Sequence, residues 1–293
     1  MLSILIPVYN YDIVPLVKLL HKQLTPLKIP YEIFCVDDES DQEEITTKNK
    51  KIEKFDNCFY EILSKNIGRS RIRNYLAEKA NYDQLIFLDA DVLPVSEIFI
   101  ENYLKSLKKN TIIFGGISYS EKDAGSLHYD YGKSREAKPF NQRVKFNTTN
   151  FTSANFAIKK AVFEKVSFDE GIKTYGFEDL LFSKDLLFKG YEIKQINNPI
   201  IHKGILKDNL KYILKEQESL ETLHKLYINK KINQEDIKIL GYFFQFKRFK
   251  IIGIYRLFFK FSKSYFLKNL TSKTPSLFIF DLYRLGYFSS LNA

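Results

Sequence analysis

Two aspartates two residues apart, in Asp89-Ala90-Asp91, follow directly on the apolar run 84–88. Carboxylates this close repel one another, and an adjacent divalent cation would offset the repulsion. Oxygen donors suit Mg²⁺ or Mn²⁺, which can bridge onward to a diphosphate. The alternative is a solvated turn ahead of Pro94. His202 ends a late apolar run, whereas His21 and His224 fall on helix-patterned segments and His128 in a polar stretch. Paired with Asp91, His202 would be a second protein ligand of a Mn²⁺-like ion. Taken alone, a structural role accounts for it.

Glu178-Asp179 comes straight after Gly176-Phe177 and opens an apolar-periodic helix. Acids in a first helical turn are favoured by the macrodipole whatever their task. The functional reading makes one of them a general base that deprotonates a hydroxyl, while the other holds the molecule that bears it. Asn66-Ile67-Gly68 leads into a helix with Arg69, Arg71 and Arg73. Arg69 and Arg73 are i, i+4 and share a face. Exposed backbone N–H groups at a helix start, together with guanidinium, favour a phosphate or nucleotide. A solvated cationic face is the alternative.

The elements that must position these groups alternate. Residues 2–8, 31–36, 58–63 and 84–88 read as strands. Between them lie a helix over 13–24 with Asp12 as N-cap, a charged helix from about 42 to 55, and a helix over 69–80. Four strands separated by helices predict right-handed βαβ units and an α/β fold with a mostly parallel sheet. Ligands of such sheets bind beyond the carboxyl ends of the strands. Each of these strands ends in polar or special residues: Tyr9-Asn10, Asp37-Asp38, Asn66 to Gly68 and Asp89 to Asp91. Farther along, 111–118 reads as a strand, 121–150 as a long polar loop over the site, 154–158 as a strand, 160–166 and 180–189 as helices, and 191–196 as a strand. Beyond Lys207 the pattern is helical and amphipathic to the end.

In order along the chain stand Ile6-Pro7-Val8-Tyr9-Asn10, Val36-Asp37-Asp38-Glu39-Ser40, Asn66-Ile67-Gly68 with Arg73-Asn74, Leu88-Asp89-Ala90-Asp91, Ser153-Ala154-Asn155 and Gly176-Phe177-Glu178-Asp179. In this order and spacing they resemble a family 2-type glycosyltransferase of the GT-A fold, from Leu2 to about Gly204. The resemblance implies a Rossmann-like, mostly parallel central sheet with flanking helices. It implies that Pro7, Tyr9 and Asp38 line a nucleobase pocket and that Gly68 and Arg73 flank the nucleotide. Asp89 would face the ribose or donor sugar, Asp91 and His202 would hold the metal, and Asn155 and Glu178 would face the acceptor. Asp179 would be the general base of a single inverting displacement. Glu39 stands where the family's Asp-Asp-Gly-Ser turn has glycine, which puts that turn's geometry in question. There is no Gln-x-x-Arg-Trp motif and no Trp at all, against a processive cellulose- or hyaluronan-like synthase. These implications set out a GT-A catalytic domain over 1–205, its nucleotide-sugar half about 1–118 and its acceptor half about 119–205. A helical extension follows over 206–293.

The length of 293 residues suits one large α/β domain or a domain with an appendage. The 45% hydrophobic and 27% charged fractions place it among ordinary folded chains. Of the net charge of +10, the segment from Gly241 onward holds +8, nine Lys/Arg against Asp281 alone. Within it Arg256, Lys260 and Lys263 share a helix face, and Ile251, Ile254, Tyr255, Phe258, Phe261 and Tyr265 cover much of the rest. That is the pattern of an interfacial helix on an anionic membrane surface. A helical subdomain packed on the catalytic body is the alternative. No recognised nucleic-acid-binding motif accompanies the basic residues, so nucleic acid is not an expected partner.

No apolar run reaches the ~20 residues of a membrane span. Met1 to Tyr9 lacks the basic flank of a secretory leader. Two cysteines, Cys35 and Cys58, sit in apolar runs and read as buried free thiols in a reducing compartment. The reading is therefore a cytoplasmic enzyme, peripheral at the inner face of the cell membrane. It would use Mn²⁺ or Mg²⁺ to move a sugar from a nucleotide-sugar, UDP-linked by preference, to a glycan or lipid-linked glycan of surface polysaccharide assembly. A catalytically silent GT-A domain serving as a scaffold in a glycan-assembly complex is the competing reading. Asp89, Asp91, Glu178, Asp179 and His202 together argue against it. A nucleotidyltransferase would need a Gly-rich phosphate loop after the first strand, which Pro7-Val8-Tyr9-Asn10-Tyr11 is not.

Overall fold

In β1 (Leu2–Val8), Leu2, Ile4, Ile6 and Val8 enter one apolar core and Leu5 enters another. That is the two-residue alternation of a strand buried on both faces. The structure, a computed structural model, describes residues 1–108, 111–145 and 151–291. β1 lies inside a seven-stranded sheet of order β3-β2-β1-β4-β8-β6-β9. β2 (Tyr31–Asp37), β3 (Cys58–Ile62) and β4 (Gln84–Leu88) join it in parallel. β8 (Asn155–Lys159) then runs antiparallel between β4 and β6 (Ile112–Phe114), and β9 (Lys194–Gln195) closes the far edge beside β6.

A second, three-stranded sheet has the order β5-β10-β7, from β5 (Val92–Pro94), β7 (Ile117–Tyr119) and β10 (Ile200–His202). In it His202 pairs with Val92.

The helices α1 (Val14–Leu24) and α4 (Phe99–Leu107) cover one face of the large sheet through Leu16, Leu20, Phe99 and Tyr103. α2 (Glu43–Asn49) is followed by a 3-10 turn, Lys50–Lys54. On the other face lie α3 (Arg69–Lys79), α7 (Lys160–Phe163) and α8 (Glu178–Phe188). There an aromatic cluster fixes α8: Phe182 stacks on Phe168 with ring centroids 4.2 Å apart, and Phe87 stacks on Phe156 at 4.7 Å. Fully burying one such ring contributes roughly 1.5–3 kcal/mol. Because Phe182 lies one turn after Glu178, this packing also sets where α8 begins.

The stretch 121–150, expected as loop, instead contains a 3-10 turn at Glu121–Asp123, α5 (Leu127–Arg135) and α6 (Phe140–Lys145). Residues 146–150 lie outside the described residues. The run 111–118 divides at Gly115-Gly116 into β6 and β7, which belong to different sheets. The charged helix of 42–55 is shorter than its pattern. Asp12 accepts the Val14 N–H at 3.1 Å but lies one residue before the cap position. Cys35 and Cys58 are buried and free, and burial pushes the Cys58 thiol up to about 12.

The chain forms two compact units. The first comprises Met1–Ser120, Glu136–Lys173 and Glu178–Gly204, and holds both sheets. The second comprises Glu121–Arg135, Thr174–Phe177 and Ile205–Ala293. In it α9 (Asn209–Ile228), α10 (Lys238–Arg248), α11 (Ile252–Leu270) and α12 (Leu277–Leu291) surround a core of Tyr212, Ile213, Phe259, Phe266, Leu270, Phe280 and Tyr283. Asp208 caps α9 by accepting from the N–H groups of Leu210 and Lys211. A Cβ on Gly286 would lie 2.2 Å from the Phe259 ring, so glycine is what lets α12 close on α11. Among the described residues no helix is long and apolar enough to cross a membrane.

Candidate active site

The carboxyl ends of β1, β2 and β4 bring three of the strand-end motifs to one rim. After β2, Asp38 is buried. Its two oxygens accept the backbone N–H groups of Ile67 and Gly68 at 2.7 and 2.9 Å. Burial raises its pKa, and the charges of Asp37 and Glu39 add to that rise against the two amides. Asp37 is held by the Tyr60 hydroxyl and accepts the Ser40 N–H at 2.7 Å. Tyr9 and Pro7 lie at the end of β1. Pro7 is partly buried, and Tyr9 leaves half its surface exposed, at 52%.

The turn that the sequence put in question keeps a glycine-like backbone. Glu39 adopts φ +63°, which costs a non-glycine residue about 1–2 kcal/mol. Its Oε2 accepts the Asn66 N–H at 2.8 Å, a return that glycine cannot make. Glu39→Ala is expected to lose about 1 kcal/mol of stability, because it keeps the strain and loses the bond. Glu39→Gly trades one for the other and should stay within about half a kcal/mol. Urea unfolding of both variants measures this, and a more stable Ala variant would contradict it.

Arg73, from α3, is buried, with its side chain only 3% exposed. Its guanidinium meets Asp89 at 2.7 Å and Glu178 at 3.8 Å, and its Cζ lies 5.4 Å from the centre of the Phe168 ring. The expectation that Arg73 flanks the nucleotide therefore takes a different form: the guanidinium is spent on carboxylates from β4's end and α8's start. Burial alone would lower its pKa, but Asp89, Asp179 and Glu178 outweigh burial and raise it.

Asp179 follows Glu178 in the first turn of α8. Burial foremost, then the charge of Glu178, raises its carboxyl to about 6, with Asp89 adding and with Arg73 and a hydrogen bond from Ser153 opposing. Its Oδ1 is shielded from solvent and accepts no hydrogen bond among the described residues.

Asp91 and His202 are brought together by the pairing of β5 with β10. His202 Nε2 lies 3.3 Å from Asp91 Oδ2. Burial would lower the His202 pKa, but the hydrogen bond and charge of Asp91, with Glu136 and Asp89, raise it. A Cβ on Gly204 would lie 2.0 Å from Asp91 Oδ2, so glycine there makes room for the carboxylate. Among the described residues no group of three or more His, Cys, Asp or Glu could hold a metal ion. Asp91 and His202 place one carboxylate and one imidazole side by side. This mixed pair fits a Mn²⁺-type ion that takes its remaining ligands from phosphate oxygens and water.

Asn155 does not fit an acceptor-facing role. It is fully buried, and its amide donates to the carbonyls of Gly116 at 2.7 Å and Asn198 at 3.0 Å while its oxygen accepts from the Tyr103 hydroxyl at 2.7 Å. It ties β8 to the segments that carry β7 and β10. Gly204 and Asn198 are participants to which sequence reasoning gave no role, and Ser153 stood in a quoted motif without one. Gly204 and Asn198 carry no spacing signal, since each matters only through a contact made in the fold.

The sequence matches the glycosyl transferase family 2 model over residues 3–167, more than half of the chain. The chain belongs to glycosyl transferase family 2. No curated protein matches it. Among solved structures this family 2 glycosyltransferase resembles TarS 1–349 of S. aureus at 16% identity, over 77% of this chain and 71% of that one, with a TM-score of 0.51. TarS 1–349 in complex with UDP-GlcNAc gives the same identity and score over 72% of its length. Mannosyltransferase PcManGT of Pyrobaculum calidifontis, in complex with GDP-Man and Mn²⁺, matches at 13% identity over 77% of this chain and 64% of that one, with a TM-score of 0.53. The shared fold is GT-A. All of Asp38, Arg73, Asp89 and Asp91 lie within the matched 3–167, whereas Glu178, Asp179 and His202 lie beyond it.

Proposed function

We propose that this glycosyltransferase moves a sugar from a nucleotide-sugar, most simply a UDP-sugar, to a hydroxyl of a glycan or lipid-linked glycan in surface polysaccharide assembly, with inversion at the anomeric carbon. The observation that carries the reading is the network through Arg73. It joins Asp89, at the end of β4, to Glu178 at the start of α8, where Asp179 keeps an unbonded oxygen. Solved structures of the same fold hold UDP-GlcNAc in one case and GDP-Man with Mn²⁺ in another, which supports a nucleotide-sugar donor here.

In this reading Pro7, Tyr9 and Asp38 form the nucleobase end and Gly68 the approach to the diphosphate. Asp89 faces the ribose or sugar, oriented by Arg73. Asp91 and His202 would hold a divalent cation, Mn²⁺ or Mg²⁺, which would supply Lewis-acid stabilisation of the departing diphosphate. Asp179 accepts the acceptor hydroxyl's proton as its oxygen forms a bond to the anomeric carbon and the bond to the diphosphate breaks. Glu178, locked beside Arg73, positions that carboxylate. The rest of the rate comes from holding donor and acceptor in line. The cytoplasmic face of a membrane is the setting we assign.

Calorimetric titration with UDP, with and without Mn²⁺, tests the donor site. Binding that depends on Mn²⁺ and weakens about tenfold or more in Asp91→Ala is expected, since one of two protein ligands is lost. GDP is the next nucleotide to titrate if UDP stays silent. If no nucleotide binds in a metal-dependent way, the donor-site assignment falls.

A further inference from the structure

Helix α11 has two apolar faces. One side, Phe259, Phe266 and Leu270, is buried in the core of the second unit. Ile254, Leu257, Phe258, Phe261 and Tyr265 follow the i, i+3, i+4, i+7, i+11 spacing of a single stripe on the other side. All five are exposed, Phe261 to 77% and Ile254 to 71%. A helix that needed only to pack on its own unit would carry polar residues there. Tyr242 on α10 and Phe249 in the turn after it are exposed as well.

The charge around the stripe is of one sign. Between Asp236 and Asp281 stand nine Lys/Arg and no acid. On α11 the exposed Lys260, three residues after Leu257, and Lys268, three after Tyr265, border the stripe, whereas Lys263 is exposed on the opposite side with Arg256. Aromatic and aliphatic side chains flanked by long cationic ones match a bilayer interface, with rings at the headgroup boundary and ammonium groups on lipid phosphates. A second copy of this chain would instead set two acid-free surfaces against each other, like charge against like.

We infer that the outward stripe of α11 docks the protein on an anionic lipid bilayer. The inference rests on the reading above that the acceptor is carried at a membrane, and it adds the surface that would meet that membrane. It requires no spanning segment.

The test is sedimentation of the full chain with phosphatidylcholine vesicles, with and without phosphatidylglycerol and free of any acceptor. Binding to the anionic vesicles is expected, and it should weaken about tenfold or more on neutral vesicles or at high salt. The double variant Ile254→Ser with Phe261→Ser should lose at least about tenfold in vesicle binding. Both side chains are exposed, so its melting temperature and UDP titration should match the parent. The variant Lys260→Gln with Lys268→Gln should lose most of the preference for anionic lipid. No vesicle binding, equal binding to neutral vesicles, or unchanged binding of the double variant overturns the inference. So does a lipid-free dimer that the double variant dissociates, which would make a second copy the occupant. A failed vesicle assay with an intact UDP titration removes the docking surface alone, whereas a failed UDP titration removes the donor site.

Discussion

Asp179→Asn is expected to reduce turnover by about 10²–10⁴-fold while leaving nucleotide affinity unchanged, because it removes the proton acceptor and nothing that the donor touches. The parent's pH profile should show an acid limb near 6, where burial and Glu178 hold this carboxyl. Above that value the base is ionised and active, and as pH falls through it the base is protonated and the rate declines. Residual activity of the Asn variant should lack this limb.

The same substitution should stabilise the fold. A carboxyl near 6 in the folded chain, against an ordinary 3.8, makes the folded state bind the proton more tightly. Stability from this group is therefore greatest below the ordinary value and falls as pH rises through about 6. At pH 8 the ionised carboxylate is a liability, and its replacement by a neutral amide should gain ~1–3 kcal/mol in urea unfolding. An Asn variant that turns over at the parent rate would remove Asp179 from the chemistry.

Arg73→Ala should be the most destabilising of the changes considered. Arg73 is almost completely buried and meets two carboxylates, Asp89 and Glu178. Its charge also acts on Asp179. Truncation leaves these acids without their cation in a poorly solvated place, and breaking a buried pair from one side costs ~3–5 kcal/mol. Arg73→Lys keeps the charge but not the planar fork that spans Asp89 and Glu178, and should lose an intermediate amount, about 1–2 kcal/mol. Turnover should fall in both, since Asp89 and Glu178 lose a common reference point. Urea unfolding at pH 7.5 measures the stability terms, and a loss below about 1 kcal/mol for the Ala variant would mean that the carboxylates are neutralised by other means.

Much of this was legible because local pattern and fold agree over the first ninety residues. β1 to β4 stand where apolar runs are bounded by turn residues, and the acids at their ends follow from strand polarity alone. The later half reads less well for physical reasons. Of the strand expected over 191–196 only Lys194 and Gln195 pair as β9, so its length is not what the pattern implies. α5 and α6 carry polar sequences whose helicity depends on tertiary contacts. Arg143 on α6, for example, buries its guanidinium against Phe114 and donates to the carbonyls of Gly115 and Ile196. Arg73 was singled out for its type, but its partners lie 16 and 105 residues away, and no local spacing announces a contact of that kind. Asn155 stood in a recognisable motif, yet its burial decides that it braces the fold.

The strand order β4-β8-β6 also sets a schedule for the growing polypeptide. β6 leaves the ribosome more than forty residues before β8, yet its neighbours in the sheet are β8 and β9, both made later. At ~5–20 residues per second, β6 waits several seconds without a partner, and β4, which also awaits β8, keeps an open edge for longer still. Arg73 meets Asp89 early in synthesis and Glu178 only after α8 has emerged. The nascent chain therefore builds its first four strands well before the carboxylate pair of α8 exists, and the site is completed by the later half of the protein.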